Sequence, residues 1–430
     1  MNSNLKYDIS DKPKKWYEWI LYPLQMVLSV FVATVLIANI CGTPISSCLL
    51  GACFGTIIYQ IITKFKSPMF ISSCGATVSA VCGALALNET GNNYLMVFCG
   101  GIIILAIYGI FALIVHFVGK EVINKIFPPS IIGAVTIVIG LNLAAFINTY
   151  TQINSVHSDT GILIAIATML IVAVVSHYGK GFMKNIPFLF GLLGGYIIAL
   201  IITLCGKPII DFNQFNNIKW VPELSFLEWR SSDWSWANLG RTCLYFVPVG
   251  VCALLEHISD HKTLSNIIGT DLTQEPGLSR TLVGDGVASA VGTAICGLPN
   301  TSYGESIAAI GFSKVASVWV TLVAAIVLGL LSFIGPVQAF VNSIPACVFG
   351  GCAMILYGYI AASGLKTIIN NKVDLEKNKN LLIVCVVLTV GVSGIYLFDA
   401  AFAGVSLAMV LGVILNLILK EKKPLNRINN

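Results

Sequence analysis

Long apolar runs separated by short polar segments fill most of this chain. The runs fall near residues 19–41, 46–63, 68–87, 94–117, 129–148, 161–177, 186–205, 241–258, 281–296, 300–312, 315–334, 345–363, 381–396 and 401–419. About 20 apolar residues in a helix cross the hydrocarbon core of a bilayer. The pattern therefore predicts an all-α polytopic membrane protein with fourteen transmembrane spans, several of them short. Two runs are interrupted by polar positions: SPMFISSCGATVSA at 67–80 and GLPNTSYGES at 297–306. Pro and Gly free backbone groups from helical bonding. At membrane depth such groups are tolerated only inside protein or along a cavity. Spans 3 and 10 are thus expected to break near the midplane, with their freed N–H and C=O groups available to a polar ligand. An ordinary kinked helix is the alternative, but it does not account for Glu305 in the same stretch.

The two halves echo each other. Span 5 opens at Pro128 with Gly133 five residues on, and span 12 opens at Pro345 with Gly350 five residues on. Gly140 and Gly358 extend the match at nearly the same offset. The interrupted spans 3 and 10 lie about as far apart as spans 1 and 8, where Gln25 falls opposite Glu256. Seven spans per half is an odd number, so the second half is inverted relative to the first. Interrupted spans at matching places in a 7+7 inverted repeat are the pointer to a transporter's binding site.

Composition agrees with the pattern. The chain is 56% hydrophobic and only 10% charged, against about 25% charged in soluble domains. The leader MNSNLKYDISDKPKKWYEW is polar and carries lysines, unlike a secretory signal. With the N-terminus in the cytoplasm, only Lys207, Lys219, Arg230 and Arg241 of the 25 basic residues fall in outside loops. That asymmetry places both termini in the cytoplasm. It also explains the net charge of +5 without a nucleic-acid partner. The long outside segment 206–240 carries Trp220, Trp229, Trp234 and Trp236, suited to the interface or to packing the loop. The 13 cysteines lie mostly inside apolar runs and show no metal-ligand spacing, so they read as small apolar residues. No metal site is expected.

Four carboxylates fall inside or beside apolar runs: Glu256, Asp260, Asp285 and Glu305. Charge at membrane depth is costly and usually faces a pathway. Glu256 and Asp260, four residues apart, share one face of span 8. His257 points away from that face and reads as an interfacial or satisfied helix histidine. Burial and a like-charged neighbour both favour a protonated carboxyl. Several acids around one cavity can thus share a proton, the chemistry of a proton-coupled carrier. Asp285 alternatively serves as a cap or structural contact, and Asp260 as a hydrated group at the cytoplasmic end. Carboxylates repel anions and accept from N–H donors. A flat heterocycle with adjacent N–H and C=O groups fits such a site, and on charge alone a cation fits equally well.

ALLEHISD (253–260), QEPGLSR (274–280), GLPNTSYGES, LYGYIAASGLK (356–366) followed by the KVD loop, and FPP at 127–129 resemble the nucleobase–ascorbate (nucleobase:cation symporter) transporter family. The resemblance covers nearly the whole chain and is most specific in the second half. It implies a core domain of spans 1–4 (19–126) and 8–11 (241–335), and a gate domain of spans 5–7 (127–205) and 12–14 (336–419). Around these stand a cytoplasmic leader (1–18), an extracellular loop (206–240) and a cytoplasmic tail (420–430). It also implies a homodimer formed through the gate domain, in the plasma membrane. Residue by residue, it implies that Glu256 binds the base and Glu305 accepts a ring N–H. Tyr303 and Gly304 would line the pocket, Gly75 and Ala76 would offer backbone amides at the span-3 break, and Ala33 would be the small residue beside the base.

Several positions depart from the family pattern. Uracil-carrying members have a histidine at the position of Asp260 and an aromatic residue at that of Gly75. Purine-carrying members tend to have Asp at the positions of Asp260 and Asp285. Met26 replaces a usual histidine, and Ser306, Ala308 and Ser313-Lys314 depart from the signature after the acid. The expectation is a proton-coupled importer of a nucleobase, uracil first and xanthine or another purine as the alternative. Glu256, Asp260 and Asp285 would carry the coupling proton, and no cofactor is needed beyond H+. An anion exchanger or channel of the same architecture is the competing class, and the acids argue against it. A membrane enzyme finds no support, since no nucleophile–base pair or cofactor fingerprint appears.

Overall fold

Apolar length decides most of the architecture. In the computed structural model, which describes residues 5–419 except 89–90, 120–125, 146, 153–157, 181–182, 184–185, 217 and 398–401, eight helices are long and apolar enough to cross a membrane, counting only described residues. In chain order the helices are α1 (Glu18–Cys41), α2 (Ile45–Ile62), α3 (Val78–Leu85), α4 (Tyr94–Val118), α5 (Pro129–Ala144), α6 (Asp159–Tyr178), α7 (Pro187–Leu204) and α8 (Trp236–Ile268). They continue with α9 (Leu278–Cys296), α10 (Gly304–Ser313), α11 (Val318–Leu331), α12 (Gly335–Ser343), α13 (Ala346–Asn370), α14 (Asn378–Val392) and α15 (Val405–Ile418). Lys120, Lys125, Lys184 and the tail 420–430 of the charge argument lie outside the described residues.

Two features differ from expectation. The chain is not all-α: β1 (Ile71–Ser73) pairs antiparallel with β2 (Asn300–Ser302), in the two predicted interrupted spans. A second two-residue pair joins Tyr396–Leu397 to Phe402–Ala403. Extended segments freed by Pro68 and Pro299 satisfy their backbone by pairing with each other, the solution left when helical bonding stops in a dry interior. Secondly, α8 runs to Ile268, ten residues past the predicted end of its span. Its last turns, SDHKTLSNII, are polar on one side and bury His261, Leu264 and Ile268 on the other, so an amphipathic stripe carries the helix onward.

Packing sorts the helices into two groups. α4 and α2 both pack on α9, α4 on α8, and α1 and α2 on α11. In the other group α5 and α6 pack on α13, α7 on α6 and α13, and α14 on α15 and α5. Lipid is as apolar as leucine, so close backbone approach rather than hydrophobicity joins such helices. The α5–α13 crossing shows the device. A Cβ on Gly364 would stand 2.4 Å from the Gly133 carbonyl oxygen and 2.7 Å from the Ile137 nitrogen. Gly364→Val is therefore expected to force these helices apart at a cost of about 1–3 kcal/mol, read as a lower melting temperature of the detergent-purified protein. An unchanged melting temperature would mean that the crossing is looser than described.

The leader is docked. Lys6 N–H donates to the Lys314 carbonyl, Ala316 N–H to Tyr7 and Val318 N–H to Ile9. The leader thereby supplies a backbone acceptor to the start of α11, whose Ser317 makes no side-chain cap. Tyr7 packs with Val315, Val320 and Tyr22. Its hydroxyl donates to Glu18 at 2.6 Å, and Lys6 Nζ stands 2.8 Å from the same carboxylate. That hydrogen bond lifts the Lys6 ammonium above its ordinary range. In the segment 206–235, Trp229 stacks on Phe98 at 4.5 Å and packs the loop, while Trp220, Trp234 and Trp236 are exposed.

Candidate functional site

The site is organised by the β1–β2 pair. Ile71 faces Ser302, Ser72 faces Thr301 and Ser73 faces Asn300, and Cys74 N–H adds a bond to the Pro299 carbonyl at 2.8 Å. Side chains satisfy the outer edges. Thr56 Oγ1 donates to the Ile71 carbonyl at 2.9 Å and accepts from its N–H at 3.0 Å. Gln60 Nε2 donates to the Ser67 and Met69 carbonyls, and Thr321 to that of Pro68. Asn300 reaches from β2 to the Gly51 carbonyl at 2.8 Å, and Ser289 donates to the Asn300 carbonyl. Thr34 of α1 and Ser72 share a hydrogen bond of 2.7 Å.

Each strand leads directly into a helix. After β1 a 3-10 turn at Gly75–Thr77 opens α3, and after β2 Gly304 opens α10. Neither start has a side-chain cap, so each offers free N–H groups and the positive end of its peptide dipoles. Space lies in front of both. A Cβ on Gly304 would meet nothing within 4 Å, and one on Gly75 only the Ile37 side chain at 3.8 Å.

α8 packs against β2, α10 and the 3-10 turn, which brings its acids to this point. Glu256 lies within electrostatic range of Glu305, the second residue of α10. Asp260, one turn further on, accepts from Ser302 Oγ at 3.0 Å. Glu256, Asp260 and Glu305 are half-buried, Gly304 is exposed, and Ala33, Ala76 and Tyr303 are buried. The Tyr303 hydroxyl, the Ser73 hydroxyl and the Gln25 amide nitrogen are buried without a hydrogen-bond partner among the described residues.

Asp285 is placed differently. It is fully buried on α9 and accepts from Thr301 Oγ1 at 2.9 Å. Successive strand residues face opposite sides, so consecutive Thr301 and Ser302 hold β2 between Asp285 on one side and Asp260 on the other. Nor is His257 interfacial. It is fully buried with Nδ1 2.6 Å from Asp285 Oδ2, a close contact lying off the line of a hydrogen bond. The acids stand out in the sequence, whereas their partners Thr301, Ser302 and His257 do not. The signal available was the run of three consecutive polar residues, NTS, whose alternation in a strand addresses two faces.

The arrangement can accept hydrogen bonds through carboxylates and donate them through the two helix starts that α8 packs against. No group of three or more His, Cys, Asp or Glu side chains with the geometry of a metal site occurs among the described residues. A cavity of about 480 Å³ lies elsewhere, bounded by Asn39, Thr43, Ser46, Gln214, Glu223 and Gln338 among others. Glu256, Asp260, Asp285 and Glu305 do not line it, so chemistry rather than cavity size singles out the acid cluster.

The chain is similar to known proteins over nearly its whole length. The chain is 34% identical over 421 residues to the uracil permease of Bacillus subtilis (strain 168), covering 95% of this chain and 94% of that protein. It is 33% identical over 417 residues to the uracil permease of Bacillus caldolyticus, covering 96% and 94%. In fold it is similar to the transmembrane domain of a cyanobacterium bicarbonate transporter, BicA, with a TM-score of 0.66 at 17% identity, covering 95% of this chain and 98% of that one. Residues 17–400 match the model of the Permease family (Xan_ur_permease), and the chain belongs to that family.

Proposed function

We propose that this chain is a proton-coupled nucleobase importer of the plasma membrane, with uracil as its cargo. The observation that carries the reading is that α8, which bears Glu256, packs against both uncapped helix starts, with Glu305 at one and Cys74 beside the other within electrostatic range of Glu256. A neutral pyrimidine ring presents alternating N–H donors and C=O acceptors. The carboxylates accept from the ring N–H groups, and the backbone amides at Gly75, Ala76 and Gly304 donate to the ring carbonyls. Tyr303 closes one side and Ala33 leaves room for the ring. The relatives named as uracil permeases support the choice of cargo.

In this reading the short β1–α3 and β2–α10 segments are broken spans 3 and 10 of a fourteen-span, 7+7 inverted repeat, with both termini in the cytoplasm. The helix group α1–α4 with α8–α11 is the core, and α5–α7 with α13–α15 is the gate, through which two copies pair. Movement of core against gate alternates access. Glu256, Asp260 and Asp285 hold the coupling proton, and protonation removes the charge that would oppose reorientation of the loaded core.

One observation favours a purine instead. Only the Ile37 side chain comes within 4 Å of a Cβ at Gly75, and that space admits a larger ring. The bicarbonate transporter shares the fold alone. Its anion class does not suit a spot ringed by carboxylates.

A thermal-shift panel of uracil, xanthine, adenine and bicarbonate on the detergent-purified protein separates these readings, since a ligand that binds only the folded state raises the melting temperature. Uracil is expected to give the largest rise. A rise with xanthine alone transfers the reading to purines, and a rise with bicarbonate alone ends the nucleobase reading.

A further inference from the structure

Behind the acid cluster lies a second set of titratable side chains that substrate binding does not use. His257, His261, Tyr59, Ser67 and Asp285 are all fully buried. His261 Nδ1 lies 2.9 Å from the His257 carbonyl oxygen, one turn back on α8. A carbonyl only accepts, so Nδ1 carries a proton in every state. His261 Nε2 lies 2.7 Å from the Tyr59 hydroxyl, and Tyr59 lies 3.0 Å from Ser67 Oγ. Ser67 adjoins Lys66, an exposed residue ion-paired with Glu275 at the surface. On the inner side the His257 and His261 rings stack with centroids 4.0 Å apart, and His257 Nδ1 touches Asp285 Oδ2.

We propose that Ser67, Tyr59 and His261 form a proton lead from the surface beside Lys66 to the buried His257–Asp285 pair. In the structure the Tyr59 hydroxyl donates to Ser67 Oγ; before a proton enters, the two hydroxyls turn the other way, Ser67 donating to Tyr59 and Tyr59 to the bare His261 Nε2. A proton arriving at the buried Ser67 Oγ from the side of the exposed Lys66 passes the serine proton to Tyr59 and the tyrosine proton to Nε2. His261 is then a cation, and Tyr59 donates back to Ser67. Two stacked imidazoles cannot both stay cationic at this distance. A charge on His261 therefore disfavours one on His257 and biases the proton of the His257–Asp285 pair toward Asp285 Oδ2 as the two side chains turn into line. One proton enters, one moves inward, and no direct hop between the rings is needed. Asp285 Oδ2 is also the acceptor for Thr301, and a protonated oxygen is a poorer acceptor. The proton's arrival is thus felt in β2, which runs directly into Tyr303, Gly304 and Glu305.

The groups facing this unit are Tyr59 from α2, Tyr108 from α4 with its ring edge-on to His257 at 6.0 Å, Asp285 from α9, and Glu256 and Asp260 on α8 itself.

The inference rests on the proton-coupled carrier reading, and the test separates the two. Tyr59→Phe keeps the ring and removes one link, and Ser67→Ala removes the outer one. In proteoliposomes, net uracil uptake driven by a pH gradient is expected to fall about tenfold or more in either variant. Uracil–uracil counterflow, in which the carrier crosses both ways with its proton aboard, is expected to persist, as is uracil binding. Unchanged gradient-driven uptake in both variants overturns the lead. Equal loss of counterflow in folded protein also overturns it, since the hydroxyls would then be structural. Absence of gradient-driven uptake in the unmodified protein overturns the carrier reading itself.

Discussion

Glu305→Gln is expected to leave the protein folded and to weaken uracil binding on the order of 10- to 100-fold. Hydrogen bonds to a charged partner contribute about 1.5–3 kcal/mol, and each 1.4 kcal/mol is about tenfold in affinity. Glutamine preserves the size of Glu305 and removes its charge, while its NH2 group meets the ring N–H as donor against donor. Glu305→Ala should abolish measurable binding. The half-buried position of Glu305, second in an uncapped helix, means that neither change removes a packing contact of the core. Glu256→Gln, on the facing helix, should cripple uptake in the same way. Titration calorimetry on the purified variants gives the answer. Native uracil affinity in both Glu305 variants would place the base elsewhere.

Gly292→Val should do what no site substitution does: disable binding by displacing a strand. A Cβ at Gly292 would stand 2.6 Å from the Leu298 carbonyl oxygen and 2.7 Å from the Asn300 amide. Asn300 is fully buried, and its one described side-chain bond goes to the Gly51 carbonyl. Valine evicts that amide and strands the carbonyl. Overpacking costs about 1–3 kcal/mol, and an unsatisfied buried polar group costs about 1–3 kcal/mol more. The ladder to β1 then shifts, and α10 with it. The expected result is a lower melting temperature without ligand together with lost uracil binding. A variant that melts at the native temperature and binds uracil would show that Asn300 is not the pin of β2.

How legible all this was in the sequence depended on the range of the interaction. Apolar runs marked α1, α2, α4 and α5 to within a few residues, because one local property, hydrocarbon solubility, selects them. The interruptions at Pro68 and Pro299 were legible as interruptions. That they become strands was not, because three-residue segments carry no period, and their partner lies some 230 residues away in the chain. The end of α8 was missed because a hydropathy scan sees polar residues after Ile258, whereas burial of His261, Leu264 and Ile268 continues the helix. Glu256 and Glu305 stood out by cost alone, since an acid in an apolar run demands a reason. The partners of Asp285 carried no such signal: Thr301 and His257 reach it only through the packing of β2 and α8 on α9.

The docked leader gives the chain an external handle. Residues 6–9 bond to 314–318, at the rear of the helix that begins with Gly304 and Glu305. A spectroscopic probe at Lys12, whose ammonium sits over the Trp319 ring of α11, would therefore follow the junction between α10 and α11 wherever it goes. Paired with a second probe on α13, it turns residues 5–12 into a ruler for displacement of one helix group against the other.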